Sequence, residues 1–525
     1  MGSSDDRQDE PGDEVEEELM QAEQARSGPQ IEFYGGKWMS TVPIVLFIVW
    51  AVFQSALFRI GDTTGLVAGM LLSLIVGMFF VRGNWKSYAN TIFEGMTQRV
   101  AATAIVAWLW AGMFANTLQV GGFVDGLVWA ADFLSIGATL FPAITFILAA
   151  LLATGIGTGY GTTVAFSALF FPAGVAFGAS PVLMFGAILS GAVFGDNLAP
   201  VSDTTIVSAV TQDSDIGGVV ASRFKYAIVA AVLAFIGYVV AGNMISGIDV
   251  SGGQNVFAGE VQALGLVHLI SMLVVIVTAI SGRHIVEAIS WGLIVAVTFN
   301  LLFGLAPVSA MLLFNAPPDA PLAGLASVLP FVEIVQSAGD VGVTGSIYDG
   351  AAGFFPLIVL TLLIVSGAQI MIRGGGFEAI QDFLLNRVAT SVRRAETTMV
   401  LGTAGVNAMI TINTAAEIAI APYIARIGQK FNINGYRRAN ILDANSSAMG
   451  YIFPWGGGVL VGFTEIQKLP GEYDWFTQSM VVNPAEVWPF VFHGWFLFGV
   501  FFLAALSGFG LEYVSDRRSE EVARV

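Results

Sequence analysis

The chain has 525 residues, of which 55% are hydrophobic and only 12% charged, and its mean hydropathy is +0.75. This composition is typical of a polytopic membrane protein and excludes an ordinary soluble core. The sequence has no cysteine, which excludes disulfides, thiolate metal sites and cysteine catalysis. We expect no cleavable signal peptide, because the N-terminus is acidic rather than basic and then apolar.

Acidic residues dominate the start of the chain. Residues 1–30 contain ten acidic and two basic residues, so −8 of the net charge of −17 lies there. This pattern predicts a disordered, solvated cytoplasmic tail over 1–36. An acidic protein with 5 Lys and 17 Arg is typical of a halophile with a salt-rich cytoplasm. An acidic regulatory tail explains the first thirty residues equally well.

Apolar segments follow one another along the rest of the chain. They lie at 41–58, 64–81, 100–119, 134–153, 163–179, 182–210, 226–246, 262–281, 285–305, 354–372, 399–425, 439–464 and 487–510. Segments of this length and apolarity predict membrane-spanning helices.

Basic residues predict the orientation of these helices. Lys and Arg cluster at 82–99, 211–225, 373–398, 426–438 and near the C-terminus, whereas 120–133, 247–261 and 306–353 contain none. By the positive-inside rule the basic segments and both termini are cytoplasmic, and the three segments without Lys or Arg face outside. The sequence therefore predicts a multi-pass protein of the cell membrane.

The segment 399–425 predicts a re-entrant hairpin. Both of its flanks are basic, and it carries polar residues in its middle, including Asn407 and Asn413. The segment 138–179 is its counterpart from the other side, with Gly157 and Thr158 in its middle. An irregular hairpin tip is tolerated in a membrane only where it is buried in protein or lines a cavity. These four residues are therefore expected to lie on the transport pathway.

An internal repeat links the two halves. Residues 152–172 align with 402–422 at a constant offset, and a second polar break follows each hairpin about forty residues later. We expect an all-α protein with two inverted repeats, 37–250 and 251–510, and a cytoplasmic C-terminal tail over 511–525. Each repeat has about five transmembrane helices plus one re-entrant hairpin, with broken helices at the midplane, as in secondary transporters.

The segment 191–205, GAVFGDNLAPVSDTT, carries the chemistry. It places Asp196 and Asp203 in an otherwise apolar stretch, where a buried carboxylate costs several kcal/mol and persists only if compensated. Gly195 and Pro200 bracket Asp196, which predicts a helix break that frees backbone carbonyls. Carboxylate, carbonyl and hydroxyl oxygens suit a hard cation such as Na+. The alternative is a polar helix contact with an Asp–Arg pair.

This segment resembles the signature of the NhaC family of Na+/H+ antiporters, Gly-x-x-x-Gly-Asp-x-x-Ser-Pro-x-Ser-Asp-Thr-Thr. Ala199 stands where that family usually has Ser. The Gly- and Thr-rich run 154–163 and the Pro454-Trp455 break also resemble the family. The family includes antiporters that exchange organic anions such as malate and lactate, so the resemblance leaves the substrate open.

The resemblance implies that Asp196 and Asp203 carry the ion and the proton. A carboxylate that holds either Na+ or H+, but not both, couples the two fluxes by competition. We expect neutral oxygen ligands from Asn197, Ser202, Thr204 and Thr205, and a repeat-related set of Asp443, Asn445 and Ser446. For Asp443 the alternative is a salt bridge with Arg438. Glu417 is either a proton relay or a residue near the cytoplasmic interface.

The expected function is export of Na+ in exchange for H+, with no enzymatic activity and no cofactor. The expected partners are Na+, H+ and the lipid bilayer, with no nucleic acid; a homo-oligomer is left open. The alternative is an H+- or Na+-coupled carrier of carboxylates or amino acids. No Arg lies inside 154–163, 191–205 or 405–414, which favours a cation. A cation channel would share the oxygen ligands but show no proton coupling.

Overall fold

The computed structural model describes residues 30–200, 202–245, 247, 263–281, 283–321 and 323–514. Most of the acidic tail, most of the predicted C-terminal tail and the repeat boundary at 250/251 lie outside these ranges. The predicted N-terminal tail, 1–36, extends too far toward the first helix. Ile31 and Phe33 are buried, and Phe33 pairs with Val81 in an antiparallel bridge. Residues 511–514 also pack on the protein, where Tyr513 pairs with Ile433.

The first half of the described chain consists of ten α-helices. They are α1 (Val42–Ala51), α2 (Thr63–Met78), α3 (Trp85–Met96), α4 (Arg99–Val120), α5 (Phe123–Phe133), α6 (Phe141–Ile156), α7 (Gly159–Ala176), α8 (Pro181–Leu198), α9 (Asp203–Thr211) and α10 (Ile216–Met244). A 3-10 turn over Lys37–Thr41 precedes α1, and a π-helical segment over Val52–Leu57 continues it.

The second half is also mainly helical. Its α-helices are α11 (His268–Ile280), α12 (Ile285–Leu302), α13 (Val308–Met311), α14 (Ser346–Ala352), α15 (Phe355–Arg373), α16 (Gly376–Phe383), α17 (Val392–Ile410), α18 (Asn413–Phe431), α19 (Gly435–Gly450), α20 (Gly457–Glu472), α21 (Pro484–Val487) and α22 (Phe492–Ser507). Short 3-10 turns cover Ala263–Val267, Ala323–Ser327, Gln478–Met480 and Trp488–Phe490, and a π-helical segment covers Leu384–Val388.

A small sheet was not predicted from the sequence. Its strands are β1 (Leu313–Ala316), β2 (Val332–Ile334) and β3 (Gly342–Thr344), in the order β2-β1-β3. Phe314 in the central strand pairs with Val332 in parallel and with Val343 in antiparallel register. The sheet lies in the segment 306–353, where alternation is too short to give a clear period of two.

Eight helical stretches of the described residues are long and apolar enough to cross a membrane. The chain is therefore a multi-pass membrane protein, and its helical class is confirmed. α2 and α6 are also apolar but shorter. The long helices differ in position, because α8 is buried along most of its length whereas α10 and α12 expose most of theirs. Exposed Leu, Ile, Val and Phe side chains on the outer helices suit contact with lipid.

The described residues form a helical hairpin at each of the two predicted positions, and both hairpins have tight tips. The α6–α7 hairpin turns at Gly157, which has a φ of 72°, and the α17–α18 hairpin turns at Thr411, which has a φ of 64°. Asn407, expected in the middle of this hairpin, lies one helical turn before the tip, because α17 remains helical through Ile410. In each hairpin the first helix ends at a residue in the left-handed conformation. Glycine adopts this conformation at no steric cost, whereas threonine rarely adopts it.

Two broken helices follow the hairpins. α8 ends at Leu198 and α9 begins at Asp203, while α19 ends at Gly450 and α20 begins at Gly457. The helices after the tips start at 159 and 413, and those after the breaks at 203 and 457, so both pairs are offset by 254 residues rather than the predicted 250. The four-residue error is about one helical turn, which keeps the same residues on the same faces. The inverted relation of the two halves stays a prediction.

Small residues allow α6 and α8 to pack closely. Gly195 lies in α8 against the end of α6, and a Cβ added to it would come 2.1 Å from the Cβ of Ala153 and 2.5 Å from two backbone atoms. Backbone atoms cannot move aside as a flexible side chain can. Close approach of this kind is typical of helix pairs in membranes.

We expect Gly195→Ala to destabilise the protein by about 1–3 kcal/mol, because the added methyl overpacks the α6–α8 contact. Thermal unfolding of the purified protein in detergent measures the effect. Gly405→Ala is the matched control, since that helical glycine has no atom within 4 Å of an added Cβ. Equal melting temperatures for the two variants would contradict the close packing.

Candidate functional site

The first helix break buries the carboxylate of Asp196. Pro200 follows the last residues of α8, and its ring prevents the helix from continuing. Asp196 lies in the last turn of α8 and is only 3% exposed. Its Oδ1 accepts hydrogen bonds from the Gly159 amide and from the Ser202 hydroxyl, both at 3.2 Å. The segment between α8 and α9 therefore supplies one of the hydrogen-bond donors to this carboxylate, the Ser202 hydroxyl.

The second half of the chain supplies the other partners of Asp196. The hydroxyl of Tyr451 donates to Oδ2 at 3.0 Å, and the side-chain amide of Asn413 donates to it at 3.4 Å. Gly159 and Asn413 are the first residues of α7 and α18, so both hairpins meet at this carboxylate. All four donors are neutral, and no salt bridge found within the described residues includes Asp196.

Asp203 lies at the start of α9, beside the hydroxyls of the break. It accepts a 2.5 Å hydrogen bond from the Thr414 hydroxyl of α18 and one from the Thr204 amide at 3.0 Å. The hydroxyls of Ser202 and Thr204 lie 3.0 Å apart. The hydroxyls of Thr204 and Thr205 lie 3.4 and 3.5 Å from the backbone carbonyl of Asp196. The fold thus brings the predicted oxygen groups of the first half together.

Asp443 is held by an arginine that sequence reasoning did not assign to the site. Arg223 of α10 forms an ion pair with it, and both side chains are fully buried. The Thr205 and Ser447 hydroxyls also donate to Asp443, at 3.0 and 2.7 Å. Arg223 further donates to the Asn197 carbonyl at 2.6 Å, so it joins the first break to α19.

The alternative prediction, a salt bridge between Asp443 and Arg438, is wrong. Arg438 donates instead to the side-chain and backbone oxygens of Gln212. The two residues are five apart on one helix, which places them about 140° apart around its axis. Asp443 does pair with an arginine, as that alternative expected, but the arginine is Arg223 of α10.

The remaining predicted residues are divided among different roles. Ser446 donates to the Asn407 side chain at 3.2 Å and to the Asn413 carbonyl at 3.1 Å. Asn445 donates to the Ile441 carbonyl of its own helix. Thr158 caps α7 by accepting from the Gly161 amide, and Gly157 forms the tip. These side chains shape the surroundings of Asp196, but none of those bonds reaches its carboxylate.

Buried polar atoms without a hydrogen-bond partner concentrate in this region. Fifteen such side-chain atoms occur within the described residues, and seven of them belong to Asn197, Arg223, Asn413, Glu417 and Asn445. Buried polar groups in folded proteins are nearly always satisfied, so unpaired ones mark sites for water, ions or substrate. Neither the oxygen nor the nitrogen of the Asn197 side chain has a hydrogen-bond partner within the described residues.

The acidic residues do not gather into one metal-binding cluster. Nowhere in the described ranges do three or more His, Asp or Glu side chains lie close enough to hold a metal ion together. The predicted ligands instead form two groups, around Asp196 and around Asp443, which Thr205 connects. A Na+ ion bound beside Asp196 would depend on hydroxyl and carbonyl oxygens as much as on carboxylates.

Sequence reasoning missed Arg223 and Tyr451 for different reasons. Arg223 was counted in a basic cytoplasmic segment, although α10 begins at Ile216 and buries it two turns later. No arginine lies inside 154–163, 191–205 or 405–414, but Arg223 reaches the site from α10, a helix outside those three segments. Tyr451 directly follows α19, where an aromatic residue gives no signal of its own.

Comparison with known protein families shows which family the chain belongs to. The model of the Na+/H+ antiporter family matches residues 31–243 and 244–495. The chain belongs to the Na+/H+ antiporter family. The resemblance to NhaC antiporters is confirmed, and the NhaC antiporter of Alkalihalophilus pseudofirmus is 22% identical over 172 residues, 31% of this chain and 35% of that protein.

Two further relatives are named for other substrates. The arginine/ornithine antiporter ArcD of Halobacterium salinarum is 23% identical over 428 residues, 75% of this chain and 83% of that protein. The malate-2H(+)/Na(+)-lactate antiporter of Bacillus subtilis is 27% identical over 222 residues, 42% of this chain and 44% of that protein. The match covers less than half the length of the Bacillus and Alkalihalophilus proteins.

We expect Arg223→Gln to destabilise the protein by about 3–5 kcal/mol, because it leaves the Asp443 carboxylate buried without a counter-charge. Adding Asp443→Asn should recover most of that loss. Thermal unfolding of the two single variants and the double variant measures the coupling. Arg283→Gln serves as a control at an exposed ion pair and should leave the melting temperature unchanged. Additive losses in the double variant would contradict the assigned pair.

Proposed function

We propose that this chain exports Na+ in exchange for H+, with Asp196 and Asp203 as the carboxylates that hold either ion. The observation that carries the proposal is the setting of Asp196. It is a buried acidic side chain in a helix break, held by four neutral donors and without a positive partner among the described residues. Membership of the Na+/H+ antiporter family supports the same conclusion.

The charge of Asp196 explains why it can exchange ions. An ionised carboxylate in a dry environment is costly unless a cation neutralises it. A proton bound to the carboxylate removes that cost, and so does a Na+ ion beside it. Both need the same oxygen atoms, so each excludes the other. This competition couples an outward Na+ flux to an inward H+ flux.

The surrounding groups allow the proton to leave. The α7 N-terminus directs its first amide, that of Gly159, at the carboxylate, and a helix N-terminus favours negative charge. The hydroxyls of Ser202 and Thr204 can rotate so that their oxygens face a cation. Together with the Asp196 carbonyl they offer the hard oxygen ligands that suit Na+. The site can therefore hold either charge state of the carboxylate.

Alternating access follows from the origin of these partners. Gly159 and Ser202 come from the first half of the chain, whereas Asn413 and Tyr451 come from the second. A relative movement of the two halves would change which side of the membrane reaches Asp196. In this proposal the basic segments and both termini face the cytoplasm, in line with the positive-inside rule.

A carrier of carboxylates or amino acids is the second candidate. The Nη2 of Arg223 has no hydrogen-bond partner within the described residues, and a guanidinium recognises carboxylates well. The names of the malate/lactate and arginine/ornithine relatives point the same way. The ion pair with Asp443 already neutralises Arg223, however, and Asp196 and Asp203 leave the region acidic. The balance of charge therefore favours a cation.

Transport assays on the full chain in proteoliposomes separate the two candidates. A pH-sensitive dye reports collapse of an imposed proton gradient when Na+, K+, malate, lactate, arginine or ornithine is added in turn. Proton flux that responds to Na+ alone supports the proposed function. A response to an organic substrate, and none to Na+, would assign the second candidate instead.

Asp196→Asn should reduce Na+-dependent proton flux to the level of protein-free liposomes, because an amide neither carries a proton nor neutralises Na+. The fold should survive, since the amide keeps the shape of the side chain and loses a costly charge. Asp340→Asn, at an exposed position far along the sequence, is the matched control. Normal flux in the Asp196→Asn protein would rule out the assigned role.

Asp203→Asn distinguishes ligation from bracing of the break. If Asp203 binds the ion, half-maximal flux should require more Na+ while the melting temperature stays normal. The structural alternative is that its 2.5 Å bond from Thr414 only holds α9 against α18. A lower melting temperature with an unchanged Na+ requirement would reassign Asp203 to that structural role.

A further inference from the structure

Glu417 is a buried carboxyl group on the helix that faces the site. It lies in α18, four residues after Asn413 and three after Thr414. Residues at these spacings share one face of a helix. Asn413 donates to Asp196 and Thr414 donates to Asp203, so this face of α18 is directed at the two carboxylates. Glu417 occupies the next turn and is 0% exposed.

The carboxyl of Glu417 differs from the other buried glutamates. Glu396 pairs with Arg437, and Glu465 pairs with Lys468. Both oxygens of Glu417, in contrast, lack a hydrogen-bond partner within the described residues. A permanently ionised carboxylate would not be stable in such a position, because its charge would be desolvated without compensation.

Charged groups on four other helices act on Glu417. Asp443 of α19, Asp203 of α9 and Asp196 of α8 act on it as negative neighbours, and Arg223 of α10 is the positive one. Arg223 is already paired with Asp443. α18 also contacts α17, α4 and α16. The buried acid of α17, Glu396, is paired with Arg437, and α4 contains no acidic residue. The two acids of α16 are exposed and paired, Glu378 with Lys37 and Asp382 with Arg426. Glu417 therefore faces more negative than positive charge until a cation enters the site.

We propose that Glu417 carries a proton in the transport cycle, in addition to those held at Asp196 and Asp203. The group is a neutral acid when no Na+ is bound. Entry of Na+ compensates the negative charge of the region, the O–H bond of Glu417 breaks, and the proton leaves to water with no change in oxidation state. By linkage, a proton on Glu417 weakens Na+ binding by the same free energy. This inference rests on the proposed function.

Na+-induced proton release measures this role directly. The full chain, purified in detergent and weakly buffered, is mixed with NaCl or with choline chloride, and a pH dye counts the protons released per Na+ bound. Glu417→Gln should release up to about one proton fewer than the unaltered protein, and Glu417→Asp should retain the release. Glu378→Gln, at an exposed carboxylate paired with Lys37, is the control and should change nothing.

Thermal stability separates proton transfer from a structural role. Because the Glu417 oxygens make no hydrogen bond within the described residues, Glu417→Gln should melt at the same temperature as the unaltered protein or higher. If that variant fails to fold, infrared difference spectra of the unaltered protein and Glu417→Asp replace it. Addition of Na+ should then remove the carbonyl stretch of a protonated acid, at a frequency that shifts in Glu417→Asp.

The outcomes distinguish this inference from the function it rests on. Unchanged proton release from Glu417→Gln, or an infrared band that does not shift in Glu417→Asp, would overturn the role of Glu417 alone. An unaltered protein that binds Na+ without releasing any proton, or binds none, would overturn the proposed function as well.

Discussion

The structure depends on one constraint: the carboxylate of Asp196 is buried where a helix breaks, and it needs donors from both halves of the chain. The break supplies Ser202, the hairpin tips supply Gly159 and Asn413, and Tyr451 follows the second broken helix. Irregular backbone is tolerated at membrane depth only where it is buried in protein or lines a cavity. The two hairpins and two breaks can therefore be understood as the means by which the fold brings these donors to one acidic group.

The charges around that group divide into a fixed pair and a set that can change. Arg223 and Asp443 neutralise each other and connect α10 to α19 directly, and the Asn197 carbonyl and the Thr205 hydroxyl join this pair to the first helix break. Asp196 and Asp203 have only neutral partners among the hydrogen bonds described above. A fixed pair stabilises the arrangement of helices, whereas acids without counter-charge respond to ions that enter. The proposed exchange of cations and protons requires such a division, in which the arginine is already neutralised by its own partner.

Sequence patterns predicted the helical class, the hairpins, both breaks and the polar groups of the segment 191–205, because each depends on local composition. They did not predict Arg223, whose role depends on how α10 packs against α19. The predicted offset between the two halves differs by four residues from the offset between the helix starts. Apolar sequences align almost equally well when one is shifted by a helical turn. The small sheet was missed because its strands are three or four residues long. Sequence patterns left Glu417 open between a proton relay and a residue near the interface, because its burial arises from contacts with α9 and α19 that sequence alone does not reveal.

The central claim is that Na+ and H+ compete for the same carboxylates. Exchange of radioactive Na+ across proteoliposomes, with the same pH on both sides, tests this most directly. Competition predicts that the apparent KM for Na+ rises as the pH falls, by up to about tenfold per pH unit for each proton displaced, while saturating Na+ restores the maximal rate. A KM that is independent of pH, with a maximal rate that falls instead, would contradict the account.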